Sequence, residues 1–73
     1  MRNIRIGELY HCRWMEWGSD INEVCLVVGV EKFYRGLEDP NRYTVLRFGG
    51  KLHHLHSNGI GEMIGEENRV KTS

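Results

Sequence analysis

The residues best suited to chemistry in this chain are its histidines and cysteines. There are four histidines, three of them within residues 53–56, and two cysteines, Cys12 and Cys25. On a strand, His54 and His56 point to one face with Cα atoms about 7 Å apart, whereas zinc takes three or four nitrogen or sulfur ligands. The spacing matches no established zinc signature. We therefore expect no metal and no other cofactor, with His54 and His56 as the alternative zinc ligands and His56 otherwise bonded to the turn after it.

The cysteines are interpreted as reduced thiols. Neither belongs to a Cys-x-x-Cys pair, and two cysteines in 73 residues are fewer than disulfide-stapled domains of this size carry. A Cys12–Cys25 disulfide stays open as the alternative if the first two strands pair. The N-terminus lacks an apolar leader segment, and the longest apolar run, residues 24–28, is too short to cross a bilayer. We expect a cytoplasmic protein without a membrane partner.

Catalysis is not indicated by any motif. His11, Glu16, Ser19 and Asp20 lie near one another in the chain, but no nucleophile elbow, phosphate-binding loop or paired-carboxylate signature accompanies them. A chain of 73 residues forms one small domain that buries only about 60% of its unfolded surface and has no room for an enclosed ligand cavity. We expect that the protein is not an enzyme.

The charge balance indicates whether nucleic acid is the partner. Ten Lys and Arg residues match ten Asp and Glu residues, whereas proteins that bind a phosphate backbone by charge usually carry a basic excess. This balance disfavours nucleic acid, although a local basic patch of Arg13, Arg47 and Lys51, with Arg35 and Arg42, stays open. We favour neutralisation of these cations by nearby carboxylates, namely Glu8, Glu16, Glu31 and Glu38.

The hydrophobic pattern has period two, typical of strands, and no helical stripe is present. Tyr10, Cys12 and Trp14 are expected to face inward. The strand around residues 23–33 is apolar on both faces, which predicts that both faces are covered near its middle, and Gly29 predicts a bend or bulge. The predicted strands are residues 9–14, 23–33, 42–48, 51–56 and 60–64. They are separated by a long loop at 15–22, a loop at 34–41, a two-residue Gly49-Gly50 turn and a 3₁₀ turn at 57–59.

Five short strands in so small a chain predict an all-β meander that closes into a barrel, because an open sheet would expose apolar faces and edges. The order of motifs resembles that of small SH3-like β-barrel proteins of unknown function from tailed, often marine, bacteriophages. The resemblance rests on Gly7-Glu8-Leu9, Val27-Val28-Gly29-Val30, Tyr43-Thr-Val-Leu-Arg-Phe-Gly-Gly-Lys51, His54-Leu-His-Ser57, Ile60 and Met63-Ile64. It implies a single five-stranded SH3-like barrel over residues 1–65 and a polar tail over 66–73, and it implies no activity.

Aromatic residues in the loops are the candidates for binding. Tyr10, Trp14 and Tyr43 are expected in the core. The predicted binding residues are Trp17, Tyr34, Arg47, Phe48, Arg13 and Lys51. From these we expect a non-enzymatic binding module, a phage-encoded adaptor for a host or phage protein. A nucleic-acid-binding barrel and a structural protein that self-associates through a strand edge, forming a homo-oligomer, are the alternatives.

Overall fold

The computed structural model describes residues 3–64 as one five-stranded antiparallel sheet in the order β4-β3-β2-β1-β5. The elements are β1 (Leu9–Glu16), β2 (Ser19–Lys32), β3 (Asn41–Leu46), β4 (Leu52–His56), a 3₁₀ turn (Ser57–Gly59) and β5 (Ile60–Met63). The all-β prediction is confirmed. Within residues 3–64, β4 and β5 are the two ends of the sheet, so closure into a barrel stays a prediction. The polar tail predicted at 66–73 lies outside the described residues.

A tight hairpin joins β1 and β2, and the long loop predicted at residues 15–22 is wrong. Trp17 and Gly18 form the turn with φ values of 53° and 77°. Two consecutive positive φ angles are the geometry of a two-residue hairpin turn. The ladder therefore continues to the pair Glu16–Ser19, and Met15 and Glu16 lie on a strand.

The long strand β2 is shared between two neighbours. Its first part pairs with β1 as far as Leu26, and its second part pairs with β3 from Leu26 to Lys32. On the other side of β1, β5 pairs only with Tyr10 and Cys12. Residues 13–22, the tip of the β1–β2 hairpin, therefore form a two-stranded ribbon that pairs with neither β3 nor β5.

Of two predictions that depend on glycine, one is confirmed and the other is wrong in the length of the turn. The bulge is confirmed, because the β2–β3 register shifts between Val27 and Gly29. The predicted two-residue Gly49-Gly50 turn is instead a three-residue turn, residues 48–50, closed by the Arg47 amide donating to the Lys51 carbonyl at 2.7 Å. Both glycines have positive φ, 104° and 90°. β3 ends at Leu46, so Phe48 lies in the turn rather than on the strand.

The core lies on one face of the sheet. Tyr10 and Tyr43 are buried as predicted, with 3% and 4% of their surface exposed. Trp14 is only half-buried and packs against the core. The buried apolar residues come from all five strands: Tyr10, Cys12, Cys25, Val27, Tyr43, Val45, Leu55 and Ile60. The inward alternation predicted for β1 is confirmed.

The opposite face of β2 is exposed, so the prediction that both faces of this strand are covered is wrong for residues 3–64. Val24 and Val28 are 42% and 40% exposed. A sheet with one packed face usually alternates apolar and polar residues. This strand keeps apolar side chains on the face that no described element covers.

The sheet curls strongly around its core face. β1 and β4 are three strand spacings apart, about 14 Å in a flat sheet. Nevertheless, the Trp14 ring on β1 stacks on the His53 ring on β4 with 4.4 Å between centroids. This contact requires the β1–β2 hairpin to fold over the inner face, toward β4.

Replacing Leu55 by alanine tests the core. Leu55 is 6% exposed, whereas Leu52 on the same strand is 62% exposed. We expect Leu55→Ala to lower the free energy of unfolding by about 2–5 kcal/mol, because it removes buried methyl groups and leaves a cavity. The matched control Leu52→Ala should change it by less than about 0.5 kcal/mol. Urea denaturation followed by circular dichroism measures both, and equal losses would contradict the assignment of the core face.

Candidate functional site

The structure divides the six predicted binding residues between the two ends of the sheet. In this meander the β1–β2 and β3–β4 turns lie at one end, and the β2–β3 loop lies at the other. Tyr34 belongs to the second end and is separated from the rest. The first end holds the other five: Arg13 and Trp17 on the β1–β2 hairpin, and Arg47, Phe48 and Lys51 at the β3–β4 turn.

Arg47 is the centre of a polar cluster at the first end. Its Nε and Nη2 atoms donate to the two carboxylate oxygens of Glu23 at 3.0 and 2.7 Å, a two-point geometry that fits a planar guanidinium to a carboxylate. Glu16 lies 3.7 Å from the guanidinium, and the Arg47 Cζ atom is 5.1 Å from the Trp14 ring centroid. The hydrogen bonds from Arg47 hold the pKa of the Glu23 carboxyl below its usual range.

Trp14 attaches the projecting hairpin to the rest of the sheet. Its Nε1 donates to the Glu16 carboxylate at 3.1 Å, and its ring stacks on His53. Burial lowers the pKa of His53. The sequence did not predict this cluster because Glu23, Trp14 and His53 lie on three strands whose proximity depends on the curl. The alternation that places Trp14 inward was the available signal.

Trp17 and Phe48 are almost wholly exposed, at 97% and 99%. Tryptophan at φ 53° occupies the left-handed region, which costs a residue other than glycine, asparagine or aspartate about 1 kcal/mol or more. The indole regains none of this through burial. Strained positions that persist without a packing benefit are found mostly at functional sites, so Trp17 is a candidate contact residue on physical grounds.

The second end contains a compact aromatic group. Tyr34 packs edge-on against Phe33 and His56 with ring centroids 5.1 Å apart in each case. Arg42 lies over Phe33 with Cζ 3.7 Å from the ring centroid and forms an ion pair with Glu31. These contacts account for Tyr34, which is half-buried, as part of the packing of the β2–β3 loop.

His54 and His56 are engaged in hydrogen bonds. His56 accepts the Asn58 backbone N–H on Nδ1 at 3.3 Å, as predicted, and donates from Nε2 to the Asp39 carbonyl at 2.8 Å. His54 Nδ1 lies 3.0 Å from the Thr44 hydroxyl. Within residues 3–64, no three His, Cys, Asp or Glu side chains are placed to share a metal ion.

A row of four leucines, exposed at its two ends and half-buried at Leu26 and Leu46, crosses the outer face. Leu9, Leu26, Leu46 and Leu52 are directly opposite one another in the successive ladders of β1, β2, β3 and β4. Leu9 and Leu52, the outer pair, are 44% and 62% exposed. With Val24 and Val28 beside it, we call this surface the leucine row. Contiguous exposed apolar surface of this kind marks interaction sites.

Three comparisons give no relative for this chain. No protein-family model, curated protein or solved structure matches it. In the part of the chain that the structure describes, no helix is long and apolar enough to cross a membrane. The resemblance to phage SH3-like proteins therefore stays a sequence-based prediction.

Replacing Glu23 by glutamine tests the Arg47–Glu23 pair. Because the folded-state pKa of Glu23 is lowered, the pair stabilises the fold above the unfolded-state pKa, and this contribution is lost as pH falls through the folded-state pKa. We expect Glu23→Gln to lower the melting temperature at pH 7. The difference from the parent chain should shrink below pH 4.5, the ordinary value for the carboxyl, and vanish in stronger acid. A difference that is constant with pH would contradict a charged pair.

The two thiols give a second test. Both cysteines are free and buried, and burial followed by the neighbouring Cys25 raises the pKa of Cys12 to about 12. Since the thiolate is the reactive form, we expect neither thiol to react with Ellman's reagent at pH 8 in the native protein. Both should react at once in 6 M guanidinium (about the concentration that unfolds even very stable domains). Rapid native labelling, or two missing thiols after unfolding, would contradict this.

Proposed function

We propose that this chain is an SH3-like barrel that acts as a non-enzymatic protein-binding module and docks its partner through the leucine row. The return of β5 to pair with β1, the 3₁₀ turn before β5 and the strong curl support a barrel. A phage origin, a host or phage protein as the partner and a cytoplasmic location belong to the same proposal.

The observation that carries the proposal is the apolar face of β2. Strands with apolar residues on both faces are typical of sheets that are covered on both sides. Here the described chain covers one side only, and Val24, Val28, Leu9 and Leu52 stay at least 40% exposed on the other. A protein partner would bury these residues. The favourable free energy is about 25 cal/mol for each Å² of apolar surface removed from water.

Charge favours protein over nucleic acid as the partner. The guanidinium of Arg47 is paired with Glu23, and that of Arg42 is paired with Glu31. Two cations of the predicted basic patch are therefore neutralised within the fold. Arg13 lies on the hairpin and Arg35 in the β2–β3 loop, at opposite ends of the sheet. Among residues 3–64, Arg13 and Arg35 therefore do not belong to one basic stripe along which a phosphate backbone could run.

Leu52→Lys tests the docking face, with Leu37→Lys as the matched control. Leu52 is 62% exposed in the row, and Leu37 is 50% exposed in the β2–β3 loop, so neither substitution should disturb the fold. The parent chain and both variants are immobilised and exposed to host lysate. Any protein retained by the parent is then purified, and its affinity is measured by calorimetry.

We expect the purified partner to bind the parent and Leu37→Lys equally, and Leu52→Lys at least tenfold more weakly. Equal binding to all three chains would contradict docking through the leucine row. Binding to DNA or RNA with an affinity that falls steeply as salt rises would instead establish the nucleic-acid alternative.

A further inference from the structure

The outer edge of β4 is open in the described sheet. Among residues 3–64, β4 pairs only with β3, and no ladder joins it to β5. The barrel proposed above therefore closes through side chains and leaves this edge free. The unpaired N–H and C=O groups of an open edge are a template on which another strand can pair.

The β3–β4 turn fixes which backbone groups face the open edge. The Arg47 amide donates to the Lys51 carbonyl at 2.7 Å, so these two residues form a hydrogen-bonded pair. Bonded and non-bonded pairs alternate along an antiparallel ladder, and the unbroken β3–β4 register therefore makes His53 and Leu55 the residues that bond to β3. The other residues of β4 direct their N–H and C=O groups toward the open edge, namely Leu52, His54 and His56.

These three outward residues are complementary to themselves across a two-fold axis. When the β4 of a second copy runs antiparallel with His54 opposite its own counterpart, Leu52 of each copy lies opposite His56 of the other. Each outward residue then faces another, so all of their backbone groups are bonded. We infer that two copies of this chain form a two-fold dimer by pairing their β4 strands in this register, with one continuous sheet across both.

The residues of β4 permit this pairing. Natural proteins protect open edges with lysine, other charged residues or proline, and β4, Leu-His-His-Leu-His, contains no lysine, carboxylate or proline. The strand at the other end of the sheet, β5, carries Gly61 and Glu62, which disfavour an added strand there.

The charge of the whole chain favours a second copy as the occupant of the edge. The formal net charge is zero, and proteins near zero net charge associate with their own kind more readily than highly charged ones. A two-fold interface uses the same patch on both subunits, as the β4 register does. The added strand extends the sheet sideways and leaves its outer face open, so the dimer goes beyond the function proposed for the leucine row.

Sedimentation equilibrium and amide hydrogen exchange by NMR measure the dimer from about 10 µM to about 1 mM, a range suited to an interface smaller than the standard size. We expect a monomer–dimer equilibrium. The His53 and Leu55 amides should exchange slowly at every concentration, because they bond to β3. The Leu52, His54 and His56 amides should become protected only as the dimer forms.

A charge exchange at His54 tests the register. His54 is exposed, and His54→Lys or His54→Glu places like charges opposite each other at the two-fold axis. Each variant alone should raise the dissociation constant by about fivefold or more. An equal mixture of the two should form a heterodimer at least as tight as the parent dimer, because lysine then faces glutamate.

The same two substitutions at Leu37 are the matched controls. Leu37 is 50% exposed in the β2–β3 loop, so Leu37→Lys and Leu37→Glu should each dimerise as the parent chain does. Circular dichroism verifies that all four variants are folded.

A chain that is monomeric at about 1 mM would overturn the inference, and so would a dimer in which the His54 amide stays unprotected. Dimers that tolerate both His54 variants, or a mixture of these variants that stays monomeric, would show that β4 does not pair in this register. Protection of the edge amides only on addition of a different protein would assign the edge to that protein's strand and would overturn the dimer as well.

Discussion

The division of β2 between two neighbours is the constraint on which the rest of this structure depends. One continuous strand pairs with β1 up to Leu26 and with β3 from Leu26 onward. The two halves of the sheet therefore meet along a single strand, and the bulge between Val27 and Gly29 lets that strand bend, since bulges increase local twist. The curl, the projecting hairpin and the alignment of one leucine from each of four strands all follow from this register.

The polar cluster at the turn end is a second consequence of the curl. Once the hairpin folds over the inner face, Glu23 and Arg47 meet at the edge of the core, where their side chains are 28% and 22% exposed. An ion pair at such a position contributes modestly to stability. Its greater effect is on geometry, because the planar two-point contact and the stack of Trp14 on His53 fix the direction of the hairpin. The same pair removes Arg47 from any basic patch.

Two features lower the stability of the fold, and no contact given for residues 3–64 compensates for them. Trp17 holds a left-handed backbone angle at full exposure, and the leucine row leaves apolar surface in water. Natural sequences usually make local preference and tertiary structure agree, and they depart from this at functional sites. These two features, which lie on different surfaces, are therefore where we propose that contacts with other molecules are made.

The sequence by itself determined the all-β class, the inward face of β1, the bulge at Gly29, the 3₁₀ turn and the positive φ angles of Gly49 and Gly50, because each depends on side-chain alternation or on the conformational freedom of glycine. It gave the wrong element for residues 15–22, since a tryptophan in a two-residue turn contradicts the usual turn preferences. Only the tertiary structure decided which residues meet across strands. Strand pairing and curl placed Trp14 on His53 and Glu23 on Arg47, and aligned the leucine row, because these contacts depend on register between distant segments.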